Sequence, residues 1–178
     1  FIGPIAWSPE FVGDLSFLTG EGPLTYITMG SSGNPEVIEK LVPILENLGS
    51  RIVITTAGKP LSFTPKLPTT RIFDYLPGSM ICQQASLVIC NGGSPTTNQA
   101  LTCGVPVLGI AQNMDQFLNM EAIANYGAGI LVRADRTAPA TLRQAIESLV
   151  TDRKYTNCAK RLAHNQGFES SPSALSRH

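Results

Sequence analysis

The stretch Cys90–Thr97, which reads CNGGSPTT, decides the fold because two glycines join a buried strand to a helix. Residues 87–90 are an apolar run typical of a buried strand, and residues 96–103 have the pattern of the helix that follows. Ser94 is predicted to cap this helix, with Pro95 at its first position. Glycine lets the backbone approach a ligand closely, and a helix start offers unpaired N–H groups with partial positive charge. The stretch therefore predicts a phosphate-binding turn.

A glycine turn also occurs where a strand and a helix simply pack tightly, so the residues downstream matter. Residues 104–108 (GVPVL) predict a second buried strand, and Asp115 and Gln116 lie at the start of the next helix. Asp115 on its own would also suit a helix cap. In a parallel sheet the carboxyl ends of neighbouring strands face one crevice, where ligands bind. One strand end would bind phosphate groups, and the carboxylate and amide at the next strand end would bind hydroxyl groups. A ligand that carries both kinds of group is a nucleotide sugar.

Strand and helix patterns alternate along the chain, which predicts an α/β fold with a doubly wound, Rossmann-like parallel sheet of about six strands and helices on both faces. Pro43 is a misfit in the first helix, because an interior proline costs about 3 kcal/mol. Asn34 and Thr137 are predicted to cap two of the helices. The predicted strands are 24–29, 51–56, 71–75, 86–90, 105–109 and 128–132. The predicted helices are 34–48, 78–85, 96–103, 116–125, 138–150 and 153–165.

A set of short segments in a fixed order carries a more specific pattern. The segments are 1–4 (FIGP), 26–31 (YITMGS), 73–77 (FDYLP), 91–97 (NGGSPTT), 99–101 (QAL), 104–106 (GVP) and 115–116 (DQ) with Asn119. This set resembles the donor-binding signature of UDP-glycosyltransferase-type enzymes of the two-domain GT-B architecture, in their macrolide-glycosyltransferase-like branch. The resemblance implies that the chain is the C-terminal half of such an enzyme. It then comprises an interdomain linker over 1–22, a nucleotide-sugar donor domain over 23–165 and a frayed tail over 166–178.

The resemblance also implies a reaction and a set of binding residues. The parent enzyme would transfer a hexose from a UDP- or dTDP-sugar to a hydroxyl acceptor with inversion, without a required metal or other cofactor. Its base would lie in an N-terminal acceptor domain outside this chain, so we expect the chain alone to bind the donor without catalysis. The implied diphosphate contacts are Gly30, Ser31, Ser32, Asn91, Gly92, Gly93, Ser94, Thr96 and Thr97. The implied base and ribose contacts are Tyr75, Leu76 and Gln99, and the implied sugar contacts are Asp115 and Gln116.

Three positions depart from the pattern of the family. Most members have a histidine where this chain has Asn91, and asparagine can donate a hydrogen bond but cannot be protonated. Many members have a glycine in place of Pro95, which lacks an N–H donor. Plant-type members have a glutamate where this chain has Gln99, so charge-assisted acceptance is lost there. A variant site, weaker donor binding or a degenerate domain would each fit, and the retained glycines with Asp115 favour a variant site.

Composition narrows the class of protein. The chain has 178 residues, of which 43% are hydrophobic and 15% charged, as expected of one globular domain. Thirteen basic and thirteen acidic residues cancel, which disfavours binding to nucleic acid or to an anionic membrane surface. No apolar run approaches the roughly 20 residues of a membrane span. The four cysteines lack metal-ligand spacing and predict free thiols, hence a cytoplasmic location.

Three alternatives to a donor domain make different demands on the sequence. A dinucleotide-binding domain would carry G-x-G-x-x-G after its first strand and an acidic residue after its second. Residues 30–33 read GSSG, and the second strand closes on Thr55 and Thr56, so neither requirement is met. A nucleotide-sugar epimerase half would need acid–base groups that this sequence does not offer. Neither His164 nor His178 is a credible substitute for the base of the glycosyl transfer. A degenerate donor domain acting as a non-catalytic partner remains open because of Asn91 and Gln99.

Overall fold

A computed structural model describes residues 15–169, with side chains as far as residue 165, and in it six strands alternate with helices. The strands are β1 Leu24–Thr28, β2 Arg51–Thr55, β3 Thr70–Phe73, β4 Leu87–Cys90, β5 Val107–Ala111 and β6 Gly129–Arg133. The α-helices are α1 Glu36–Asn47, α2 Gly78–Gln84, α3 Ser94–Thr102, α4 Met114–Tyr126, α5 Pro139–Thr151 and α6 Arg153–Glu169. Two short 3₁₀ turns span Ser16–Leu18 and Ala134–Arg136.

The six strands form one parallel sheet in the order β3-β2-β1-β4-β5-β6, which confirms the predicted doubly wound fold. The chain builds outward from β1 to β3 and then returns to place β4 on the other side of β1. This reversal opens a crevice at the carboxyl ends of β1 and β4. Thr28 is paired with Thr55 on one side and Cys90 on the other, so three strands end at one level.

Helices cover both faces of the sheet because neighbouring strand residues point in opposite directions. Ile27 faces a core that it shares with α1 and α5, where Leu41 and Ile146 are fully buried. Tyr26 faces a second core formed with the helices α2, α3, α4 and α6, in which Met120 is fully buried. The four inner strands are therefore almost entirely buried on both faces.

The predicted helix caps Ser94 and Thr137 are wrong, as is the alternative in which Asp115 caps a helix, because a nearby side chain or backbone group sets the helix start instead. The cap of α3 is Gly93, and Ser94 is already helical. Asn91 accepts the Gly93 N–H at 3.0 Å and so turns the chain one residue earlier. Asn113 caps α4 in place of Asp115, by accepting the Gln116 N–H at 3.0 Å. At α5 the cap position is Ala138, while the hydroxyl of Thr137 donates to the Ala134 carbonyl.

Other boundaries also differ from the predicted ones. β5 begins at Val107 rather than Val105, because the Val105 N–H bonds the Ala100 carbonyl and closes the end of α3. The helix α1 continues through Pro43, which lies exposed on its outer side. Although Asn34 accepts the Glu36 N–H, the residue before α1 is Pro35.

The structure describes only part of the predicted linker and of the predicted tail. The last helix extends to Glu169, four residues into the predicted tail, whereas 170–178 and the linker residues 1–14 lie outside the described part of the chain. Among the helices of residues 15–169, none combines the length and the hydropathy needed to cross a bilayer.

Candidate functional site

The loop after β1 and the glycine turn after β4 lie side by side at the crevice. They meet where Nδ2 of Asn91 donates to Oγ of Ser32 at 3.0 Å. Asn91 is buried, with 7% of its surface exposed, while Ser31 and Ser32 are exposed. Gly30 has a φ of +57°, which turns the chain away from β1. The structure thus brings together the two segments that the sequence assigned to phosphate.

Gly92 and Gly93 shape the turn in different ways. Gly92 has a φ of +83°, and a Cβ there would lie 2.6 Å from Cγ of Met120. Its N–H donates to Sγ of Cys90 at 3.3 Å. Gly93 has an ordinary φ of −68° and ends the turn in an extended conformation. Gly92 is therefore required by the close approach of α4, whereas a Cβ on Gly93 would lie 3.2 Å from Oδ1 of Asn91.

The first turn of α3 follows directly. Ser94 is exposed and Thr96 half-buried, so the start of the helix faces the crevice. Thr97 is fully buried, and its hydroxyl donates to the carbonyls of Gly93 and Ser94, at 3.2 Å each. Asn119 donates to the same hydroxyl at 2.9 Å. The Thr97 side chain therefore supports the turn from inside and does not line the crevice.

The start of α4 forms another wall. Gln116 is 5% exposed; its Oε1 accepts the Gln112 N–H at 3.0 Å, and its Nε2 donates to Oγ of Ser32 at 3.2 Å. Asp115, one residue earlier, is exposed. The structure thus separates the two residues that the sequence treated as a pair, since Gln116 points inward and Asp115 outward.

A cavity of about 300 Å³ lies beside the turn, on the β2 and β3 side of the crevice. Tyr75, at its mouth, is 66% exposed, and Leu76 is 6% exposed. The side chain of Gln99 enters from α3, close to the start of α2, since a Cβ on Gly78 would lie near its Oε1. The cavity brings together five predicted site residues, namely Gly30, Tyr75, Leu76, Thr96 and Gln99.

Two titratable groups near the crevice are held in their protonated forms. Burial raises the pKa of Tyr26 to about 12, and its hydroxyl shares a hydrogen bond of 2.9 Å with Thr55. Burial likewise raises the pKa of the Cys90 thiol to about 12. Neither group is a base at neutral pH.

Sequence reasoning missed two residues at the crevice. The Gln112 side chain donates to the Ser32 carbonyl, and Gln112 directly follows β5. A correct end for β5 would have placed it at the edge of the sheet. Lys59 reaches across from the loop after β2, and its Nζ donates to the Gly33 carbonyl at 2.8 Å. No local signal marks Lys59, because its partner is 26 residues away.

The chain resembles known proteins in both sequence and fold. The sequence profile of the family described as Erythromycin biosynthesis protein CIII-like, C-terminal domain, matches residues 39–178. The chain belongs to this family. A PGL/p-HBAD biosynthesis glycosyltransferase of Mycobacterium tuberculosis is 36% identical to it over 170 residues, which are 94% of this chain and 39% of the relative. A PGL/p-HBAD biosynthesis rhamnosyltransferase of Mycobacterium bovis is 37% identical over 166 residues, which are 92% of this chain and 36% of that relative.

Solved structures agree with the fold. The spinosyn rhamnosyltransferase complexed with thymidine diphosphate superposes with a TM-score of 0.80 at 22% identity, covering 92% of this chain and 47% of that one. The chain thus spans less than half the length of these relatives. The resemblance to GT-B C-terminal domains is confirmed by the family match and the fold.

Proposed function

We propose that this chain is the nucleotide-sugar donor domain of an inverting glycosyltransferase that moves a hexose from a UDP- or dTDP-sugar to a hydroxyl acceptor. The observation that carries the proposal is the crevice at the reversal of strand order. There the turn Asn91–Gly93 and the start of α3 adjoin a cavity of about 300 Å³. Backbone N–H groups for an anion and a neighbouring space for a ring are what a nucleoside diphosphate needs.

The diphosphate would lie over the glycine turn. Ser31, Ser32, Ser94 and Thr96 supply hydroxyl groups there, and the start of α3 supplies N–H groups with partial positive charge. As the bond to the sugar breaks, negative charge grows on the leaving diphosphate, and donors already in place stabilise it. We propose that this stabilisation needs no metal ion.

The base and sugar would occupy opposite ends of the site. Tyr75 offers an exposed ring on which uracil or thymine could stack, and the backbone groups of Leu76 lie beside it. The side-chain amide of Gln99 would bind the ribose. Asp115 would accept hydrogen bonds from sugar hydroxyls. The names of the relatives support a glycosyl donor, and the complex of one structural neighbour with thymidine diphosphate supports a pyrimidine base.

The free thiols suit a cytoplasmic location. The general base that removes the proton from the acceptor hydroxyl would come from an N-terminal acceptor domain of the same protein. Incubated with a UDP- or dTDP-hexose and a panel of hydroxyl acceptors, the chain alone should therefore yield no glycosylated product. Formation of product would contradict the assignment of the base to another domain.

Calorimetric titration with dTDP, UDP and NAD tests the proposal directly. We expect saturable binding of a pyrimidine diphosphate and none of NAD. Gly93→Val should abolish that binding while the protein stays folded, because φ at Gly93 suits any residue but its Cβ would lie 3.2 Å from Oδ1 of Asn91 and displace the side chain that shapes the turn. Binding of NAD without dTDP or UDP would instead indicate a dinucleotide domain. If the folded protein bound none of the three ligands, the result would indicate a degenerate donor domain.

A further inference from the structure

Ser32 is the meeting point of three loops at the crevice. Nδ2 of Asn91 donates to its Oγ at 3.0 Å, and Nε2 of Gln116 donates to the same oxygen at 3.2 Å. The Gln112 side chain donates to its carbonyl oxygen. A single serine therefore connects the loop after β1 to the turn after β4 and to the start of α4, 59 and 84 residues away in sequence.

The orientation of both amides is fixed by their other partners. An amide oxygen and nitrogen are hard to tell apart unless the hydrogen-bond network distinguishes them. Oδ1 of Asn91 accepts the Gly93 N–H, and Oε1 of Gln116 accepts the Gln112 N–H, each at 3.0 Å. A backbone N–H needs an acceptor, and only the oxygen of an amide accepts. Both NH₂ groups must therefore face Ser32.

The Ser32 hydroxyl is left with one function. A hydroxyl oxygen accepts two hydrogen bonds and donates one, and here both acceptor positions are occupied by N–H groups. Its hydrogen is the group that remains for a ligand, and the two incoming N–H donors polarise the O–H bond and strengthen it as a donor. Ser32 is exposed, whereas Asn91 and Gln116 are 7% and 5% exposed. A group that can only donate suits an anionic oxygen.

We infer that Asn91 and Gln116 are positioning residues that act on a bound diphosphate through Ser32, whose hydroxyl is the contact to a phosphate oxygen. This inference rests on the proposed function and deepens it, since the sequence assigned direct ligand contacts to all three residues. It also accounts for an asparagine at position 91, because the task there is to hold a hydroxyl, which needs no charge.

A cycle of substitutions tests whether the amides act through Ser32. The Kd for dTDP is measured for the unsubstituted chain, Asn91→Ala, Gln116→Ala and their combination, each with and without Ser32→Ala. Ser32→Ala should weaken binding about 10-fold or more, as for loss of a hydrogen bond to a charged group. Each amide substitution should weaken binding several-fold more when Ser32 is present than when it is absent, because without Ser32 only the loss of the acceptor for the Gly93 or Gln112 N–H remains.

Two further variants and a melting curve control the cycle. Ser32→Thr retains the hydroxyl and should keep most of the affinity. Ser62→Ala removes an exposed hydroxyl that contacts Glu39 instead, and should leave the Kd unchanged. Melting temperatures show which variants are folded. For any variant that is not, side-chain amide NMR signals of Asn91 and Gln116 in the Ser32→Ala protein replace the cycle, and both should shift.

The outcomes separate this inference from the proposed function. Equal losses from the amide substitutions with and without Ser32 would mean that the amides act on binding without Ser32, and would overturn the inference alone. Undiminished dTDP binding by Ser32→Ala, or unshifted amide signals, would do the same. Failure of the unsubstituted chain to bind any pyrimidine diphosphate would overturn the proposed function and this inference with it.

Discussion

Nδ2 of Asn119, in the second turn of α4, donates a hydrogen bond of 2.7 Å to the carbonyl oxygen of Gly92. The same nitrogen donates to Oγ1 of Thr97 at 2.9 Å. One amide thus links the glycine turn to the first turn of α3 and fixes both of these turns to α4. The shape of the crevice therefore depends on a residue that does not line its cavity.

Asn119→Ala should lower the free energy of unfolding by about 1–2 kcal/mol, because it removes two hydrogen bonds and leaves the Gly92 carbonyl without this donor. Urea denaturation measures the change. Asn125→Ala, on the exposed side of the same helix, is the matched control and should shift stability by less than about 0.5 kcal/mol. Equal unfolding midpoints for the two variants would contradict the role given to Asn119.

Gly92→Ala should destabilise the fold more than Gly49→Ala. Both glycines have positive φ, +83° and +70°, so alanine costs each about 1–2 kcal/mol of backbone strain. At Gly92 the added Cβ would also lie 2.6 Å from Cγ of Met120 and 3.2 Å from the Gln116 carbonyl, whereas nothing lies within 4 Å at Gly49. Thermal unfolding of the two variants isolates the cost of this overlap. Equal melting temperatures would mean that α4 does not press on the turn.

Asp115→Ala should weaken binding of a UDP- or dTDP-hexose by about 10-fold while changing the Kd of dTDP itself by less than about twofold, because its carboxylate is proposed to contact only sugar hydroxyls. Titration of both ligands measures the difference. Glu121→Ala removes another exposed carboxylate from the same helix and controls for net charge. An equal rise in the Kd of both ligands would instead mean that Asp115 contacts the diphosphate.

Tyr75→Ala should weaken dTDP binding about 10-fold, since stacking of a base on an aromatic ring is worth about 1–3 kcal/mol. The melting temperature should stay unchanged, because 66% of the side chain is already exposed. Tyr126→Ala, at the distant end of α4 and 42% exposed, is the control for loss of a surface tyrosine. Unaltered dTDP binding by Tyr75→Ala would remove this residue from the base site.

Stability should fall as the pH rises above 9. Burial raises the pKa of Cys82 and Cys90 from 9.0 to about 12, and that of Tyr26 from 10.0 to about 12. The folded state keeps these protons while the unfolded chain loses them, so the stabilisation is complete below pH 9 and is lost between pH 9 and 12. For each thiol, this proton linkage lowers the free energy of unfolding by roughly 1 kcal/mol at pH 10.

Urea midpoints at pH 8 and pH 10 measure this loss. A variant carrying both Cys82→Ala and Cys90→Ala removes the two thiols and should show a shallower decline between the same two pH values. An identical decline in the variant would show that other groups dominate the alkaline transition.

The order and type of the elements could be predicted from the sequence because they depend on local patterns. Residues 87–90 are apolar without interruption, and a strand buried on both faces requires that. Helix starts were less predictable, since a serine, an asparagine or an aspartate caps equally well in isolation. The start of α3 was misplaced for this reason, because Asn91, two residues before Gly93, turns the chain. The start of β5 was misplaced because the Val105 N–H is used by the α3 carbonyl of Ala100.

By itself the sequence determined that strands and helices alternate, that a glycine turn follows β4, and which segments border the crevice, because apolar periodicity and the conformational range of glycine are properties of neighbouring residues. Only the tertiary structure decided what each polar side chain does there. Thr97 turns inward to Asn119, Gln116 turns inward to Ser32, and Asp115 stays exposed. The partners in these contacts lie 22 and 84 residues apart, so only the folded backbone brings their donors and acceptors within 3.2 Å.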